Sequence, residues 1–200
     1  GNGSDDNTSS PAQIGSLEDW ITVEGKTFAI ALKSDGTLWG WGQGSKGGHG
    51  LNNETSYSSP VQVGTDTDWG TPDSDNDYAL NRSIGGGAFS MAIKQDGTLW
   101  AIGGDNEKGN SGLGDTTNKK SSPVQVGSLT DWSQVDCGDL HFIAIKTDGT
   151  LWACGDNASG RLGDGSTTNR SSPVQIGSGT YWAKINCGYN NSSAIRTDGT

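Results

Sequence analysis

Three aspartates alternate at Asp73, Asp75 and Asp77, and Tyr78 and Arg82 follow them. Alternating carboxylates suit a hard cation that takes oxygen ligands, and calcium is the ion such a run would hold. The run is not an EF-hand loop. Counting from Asp73, the sixth position is Tyr78 rather than Gly and the twelfth is Ile84 rather than Glu. The expectation is therefore a solvated acidic loop, with calcium as the alternative and no other cofactor.

The thiols and imidazoles give less. Cys137 and Cys187 share one repeat position, filled by Gly85 in the second unit, and Cys154 takes the place of Trp41 and Ile102. Isolated thiols without a close-spaced pair or a His cluster read as small buried hydrophobes, not metal ligands. Three Cys cannot all pair, which argues against a disulfide-built fold. His141 aligns with Phe28, Phe89 and Asn191, and His49 falls in a Gly-rich stretch expected to be exposed. A general base needs an orienting partner and a nucleophile in reach, and neither is visible beside either His. Gly103-Gly104-Asp105-Asn106 and Gly42-Gln43-Gly44 resemble phosphate loops only in glycine content. No helix N-terminus or Lys follows them in the required place, so they read as turns.

What organises these residues is a repeat. Ser-Ser-Pro recurs at Pro11, Pro60, Pro123 and Pro173, and a Trp stands nine residues after each, at Trp20, Trp69, Trp132 and Trp182. Asp-Gly-Thr recurs from Asp35, Asp96, Asp148 and Asp198, the first three followed by Leu38-Trp39, Leu99-Trp100 and Leu151-Trp152. The Pro-to-Pro spacings are 49, 63 and 50 residues, so the unit is about 50 residues long with one insertion. That insertion, near 70–83, carries the three aspartates. The units run 1–50 (partial), 51–113, 114–163 and 164–200 (incomplete).

Each unit has the two-residue period of β-strands. Trp132 to Gly138 and Phe142 to Thr147 alternate, Asp148-Gly149 supplies a tight hairpin, and Leu151 to Cys154 returns. A further short strand is expected at Val174 to Ile176. Three or four short strands per unit, without helical periodicity, make the fold all-β, with each unit a propeller blade. The recurring Trp residues are expected to pack the blades with their indole N–H groups bonded locally.

Cys137-Gly138-Asp139-Leu140-His141, then Ala144, Asp148-Gly149, Leu151-Trp152, Gly155, Asn157, Gly160 and Leu162-Gly163, resembles the regulator of chromosome condensation repeat. The resemblance recurs four times along the chain. It implies a β-propeller, usually of seven blades, that binds proteins on a face or rim. The family's best-known member is a nuclear exchange factor for a small GTPase, and similar propellers include a secreted bacterial inhibitor of β-lactamases. Gly1 to Ser4 aligns with Gly163 to Ser166, and Thr200 stands just before the next Leu-Trp position. The expectation is that these residues are about four units of a longer array, with an open strand edge that invites homo-assembly.

Composition narrows the partner. The chain has 200 residues, 13 basic against 23 acidic, a net charge of −10, and 33 Gly. Without a basic stripe nucleic acid is not an expected partner, and no stretch approaches the ~20 apolar residues of a membrane span. The reading is a non-enzymatic protein-binding or structural module, secreted or displayed on a cell or virus surface. The alternatives are a small-GTPase exchange factor, implied by the resemblance, and a lectin using a ring of Trp. Binding residues are sought among aromatics that do not recur, Tyr57, Tyr78, Tyr181 and Tyr189, with Arg82 in the insertion.

Overall fold

A computed structural model describes residues 3, 10, 13, 16, 18–70, 84–86, 88–117 and 119–200. Asp73, Asp75, Asp77, Tyr78 and Arg82 lie outside the described residues. The described residues form strands, turns and loops, with no helix. Blade 1 is β1 (Trp20–Gly25), β2 (Phe28–Lys33), β3 (Leu38–Gly42) and β4 (Tyr57–Gln62). Blade 2 is β5 (Ile84–Gly86), β6 (Ser90–Ile93), β7 (Leu99–Ile102) and β8 (Val124–Gln125). Blade 3 is β9 (Trp132–Cys137), β10 (His141–Lys146), β11 (Leu151–Gly155) and β12 (Arg170–Gln175). Blade 4 comprises β13 (Trp182–Cys187) and β14 (Ser192–Arg196), which pairs with β13 alone among the described strands.

Every sheet is an antiparallel meander in chain order, and each outer strand comes from the sequence unit after the one that supplies the middle strands. The first strands β1, β5, β9 and β13 pack side by side and form the inner row. Middle strands lie between neighbouring blades, which is why β10 is buried at all six positions, His141–Lys146, instead of alternating. The outer strand β12 is only half covered. Apolar side chains from adjacent blades interlock: Val126 of the blade 2–3 linker, with Leu99, packs in one core with Phe142 and Cys154.

The hairpin sequence has a physical reason to recur. Gly149 takes a φ of 77°, and the Asp148 carboxylate accepts the Thr150 N–H at 2.9 Å and its hydroxyl at 2.7 Å. Thr150 Oγ1 in turn accepts the Trp152 indole N–H at 2.8 Å. The same chain runs through Asp35, Thr37 and Trp39, and through Asp96, Thr98 and Trp100. These bonds hold the Asp35, Asp96 and Asp148 carboxyls below the usual carboxylate range.

Three expectations need correcting. Register pairs Gly86 with Ser90 as Cys137 pairs with Phe142, so Gly86 rather than Gly85 holds the Cys137 position. The β5–β6 turn is one residue shorter than the β9–β10 turn, which shifts the alignment. Trp39, Trp100 and Trp152 bond their N–H groups locally, but those of Trp69, Trp132 and Trp182 are buried without an acceptor among the described residues. His49 is fully buried, not exposed. Its Nε2 lies 2.8 Å from the Thr55 carbonyl, its Nδ1 accepts the Leu51 N–H at 3.3 Å, and its ring meets Tyr57 edge-on at 5.5 Å.

Candidate functional site

The β1–β2, β5–β6, β9–β10 and β13–β14 turns all leave their sheets at one end of the molecule, beside the inner row. In blade 1 the turn is closed by the Lys26 N–H donating to the Phe28 carbonyl at 3.0 Å. Gly25 must be glycine there, because a Cβ would sit 2.3 Å from the Phe28 carbonyl oxygen. That closure pushes Lys26 and Thr27 out as exposed residues. The corresponding turns present Ala88, Asp139 and Tyr189.

These four turns share one cleft of about 320 Å³, lined by Lys26, Phe28, Lys46, Ala88, Asp139 and Tyr189, among others. Phe28 and Ala88 supply apolar wall, and Tyr189 stands 62% exposed at the rim. The Lys26 ammonium lies 5.1 Å from the Tyr189 ring centroid, linking blade 1 to blade 4. The Asp139 N–H donates to the Tyr189 carbonyl at 3.2 Å, and the Asp139 carboxylate beside the phenol raises the Tyr189 pKa. Lys46 pairs with Asp105, and that hydrogen bond raises the Lys46 pKa against the cost of burial. The cleft thus combines an apolar wall, an exposed aromatic ring and charges of both signs, the ordinary make-up of a recognition site.

Of the tyrosines singled out from the sequence that are among the described residues, Tyr57, Tyr181 and Tyr189, the structure brings only Tyr189 to this cleft. Tyr57 spends its ring on His49 and its hydroxyl on the Asn53 side-chain amide at 3.1 Å. Tyr181 lies at the opposite end, with the Arg196 guanidinium 3.8 Å from its ring centroid. Lys26, Lys46 and Asp139 were missed. A signal for two of them existed in the repeat: between the inner strand and the next, one unit has Lys26-Thr27, another Asp139-Leu140 and another Tyr189-Asn190. Residues shared by all units hold the blade, whereas this position changes chemistry from blade to blade.

The opposite end repeats itself. The Lys94 ammonium lies 4.8 and 4.9 Å from the Trp69 and Trp100 rings and pairs with Asp66 at 2.6 Å. Lys146 lies 5.0 and 4.4 Å from Trp132 and Trp152 and pairs with Asp131 at 3.3 Å. The Trp residues pack edge-on in pairs at 5.8 Å, with their own lysines over them. This occupies the ring faces that a sugar would use, against the lectin alternative.

His141 does have a hydroxyl beside it, Ser192 Oγ at 3.0 Å from Nε2. Burial, reinforced by the Arg161 charge, lowers the imidazole pKa to about 4, so it is a poor base near neutrality. Its Nδ1 has no partner among the described residues. Arg161 itself is committed to Asp156 at 2.9 Å. Burial pushes the Cys137 thiol well up and the Cys154 thiol to about 12, so both are unreactive packing groups. Among the described residues no cluster of His, Cys, Asp and Glu is placed to hold a metal ion.

The model of the regulator of chromosome condensation (RCC1) repeat matches residues 96–145 and 148–195, and a second model of the same repeat matches 132–161. The chain belongs to the RCC1 repeat family. It is 32% identical over 161 residues to the probable E3 ubiquitin-protein ligase HERC6 of Homo sapiens, covering 76% of this chain and 15% of that protein. It is 29% identical over 147 residues to the mitochondrial RCC1 domain-containing protein RUG3 of Arabidopsis thaliana, covering 70% and 31%. The chain thus spans a minor part of these relatives. Among solved structures, human WBSCR16 superposes with a TM-score of 0.74 at 21% identity, covering 94% of this chain and 48% of that one. Prp20p of Saccharomyces cerevisiae, described with its binding to Gsp1p and histones, gives a TM-score of 0.73 at 18% identity, covering 90% and 44%. These likenesses place the RCC1-repeat blades of this chain in a propeller fold.

Proposed function

We propose that this RCC1-repeat segment is a non-enzymatic protein-binding module whose partner docks on the end of the propeller formed by the inner-strand turns. One observation carries the reading. The turn residues that differ between units, Lys26, Ala88, Asp139 and Tyr189, converge on one cleft, while the opposite end repeats one Asp-Thr-Trp motif. A surface that must recognise something specific needs chemical variety at that place. The binding of Gsp1p and histones described for Prp20p supports a protein as the ligand class, by analogy of fold.

The test places a photo-crosslinking amino acid at Tyr189 and, separately, at Asp96 on the opposite end, in the full-length protein in its source cells. The Tyr189 probe is expected to capture a discrete protein that the Asp96 probe does not. Capture of that protein from Asp96 alone would overturn the assignment of the face.

A further inference from the structure

We infer that the cleft of the inner-strand turns recognises a carboxylate side chain on an acidic peptide segment, with the Lys26 ammonium as its anchor. This deepens the proposed docking face and rests on it. The charges lining the cleft are not equivalent. Lys46 is taken up by Asp105. Asp139 lines the cleft beside Tyr189, to whose carbonyl its N–H donates at 3.2 Å, and its negative carboxylate cannot hold an anion. The Lys26 ammonium, in contrast, meets the face of the Tyr189 ring, and among the described residues no carboxylate forms an ion pair with it.

A cation held over an aromatic face keeps its full charge, because the ring attracts it without neutralising it. Lys26 is exposed, so its N–H groups remain open to an incoming acceptor. The wall beneath is Phe28 and Ala88, with Thr27, Gln43 and Ser45 at the edge. This set fits a carboxylate on Lys26, a small apolar neighbour against Phe28 and Ala88, and peptide amides bonded at the polar edge. Asp139, on the blade 3 turn, repels a second carboxylate placed close to the first, so spaced acidic residues fit better than a continuous run. With the chain at a net charge of −10, the attraction is local to Lys26 and not a general property of the surface.

The probe is a fluorescent peptide of alternating glutamate and alanine, titrated by anisotropy against the full protein, with the glutamine analogue as control. The acidic peptide is expected to bind at least about tenfold tighter than its analogue at low salt, and to weaken as salt screens the pair. Lys26→Glu should abolish that preference, and Lys184→Glu, the same charge change at an exposed site on β13, should leave it intact. Equal binding of the two peptides, or a preference that survives Lys26→Glu, would overturn the inference. Crosslinking from Tyr189 reports the docking face separately, so a captured partner with no acidic preference would sink the carboxylate while keeping the face.

Discussion

The Lys146 ammonium stands 4.4 Å from the Trp152 ring centroid, nearly removed from solvent at 7% side-chain exposure. Trp132 closes its other side and Asp131 completes the enclosure. Replacing it by Met keeps the apolar stem but loses the attraction to both rings and leaves Asp131 unpaired. Lys146→Met is expected to cost about 2 kcal/mol, lowering Tm by about 5 °C in thermal unfolding. Lys33 lies at 5.9 and 6.0 Å from Trp20 and Trp39, a looser pair of contacts, so Lys33→Met should cost less than about 1 kcal/mol. Equal losses would show that the clamp geometry is not what stabilises these blades.

The hairpin motif makes its own prediction. Thr150 both donates to Asp148 and accepts from the Trp152 indole, so Thr150→Val removes two bonds at nearly constant volume. A loss of about 1–2 kcal/mol is expected in denaturant unfolding. Thr150→Ser, which keeps the hydroxyl, should recover most of it.

His141 sets a pH window. Its imidazole is lowered from 6.5 to about 4 in the fold, first by burial and then by Arg161. Between these values the unfolded chain binds a proton that the folded chain refuses, so stability falls as pH drops from about 6.5 towards 4. The expected loss is about 3 kcal/mol across that window. His141→Phe, the residue type at the equivalent positions Phe28 and Phe89, should flatten it in melts at pH 7 and pH 4.5. Asp164 belongs to a lower window. Although burial pushes its pKa up, Arg170 and Ser166 hold it at about 2, so its contribution is lost only as pH falls from about 3.8 towards 2.

The blades were legible in the sequence because the Asp-Gly-Thr-Leu-Trp hairpin is local: each of its bonds spans two residues. His49 was misread for the opposite reason. Its burial depends on Thr55 and Tyr57 folding back over a glycine-rich loop, a contact that no periodicity announces. The buried indoles of Trp69 and Trp132, whose N–H groups find no acceptor among the described residues, were likewise hidden, since recurrence shows that a ring packs but not where its N–H points. Tyr189 was found because it breaks the repeat. Lys26 and Asp139 break it equally, yet only the propeller geometry shows turns from blades 1, 3 and 4 meeting at one cleft.

The measurement that tests the central claim most directly compares two sets of substitutions for retention of partners in quantitative affinity capture by the full-length protein. One combines Lys26→Ser, Asp139→Ser and Tyr189→Ser in the cleft, and the other combines Asp35→Asn, Asp96→Asn and Asp148→Asn on the opposite end. The cleft set should lose the partner while remaining folded, and the hairpin set should keep it. Partner binding that survives the cleft set and is lost in a folded hairpin set would contradict the account and move recognition to the other end of the propeller.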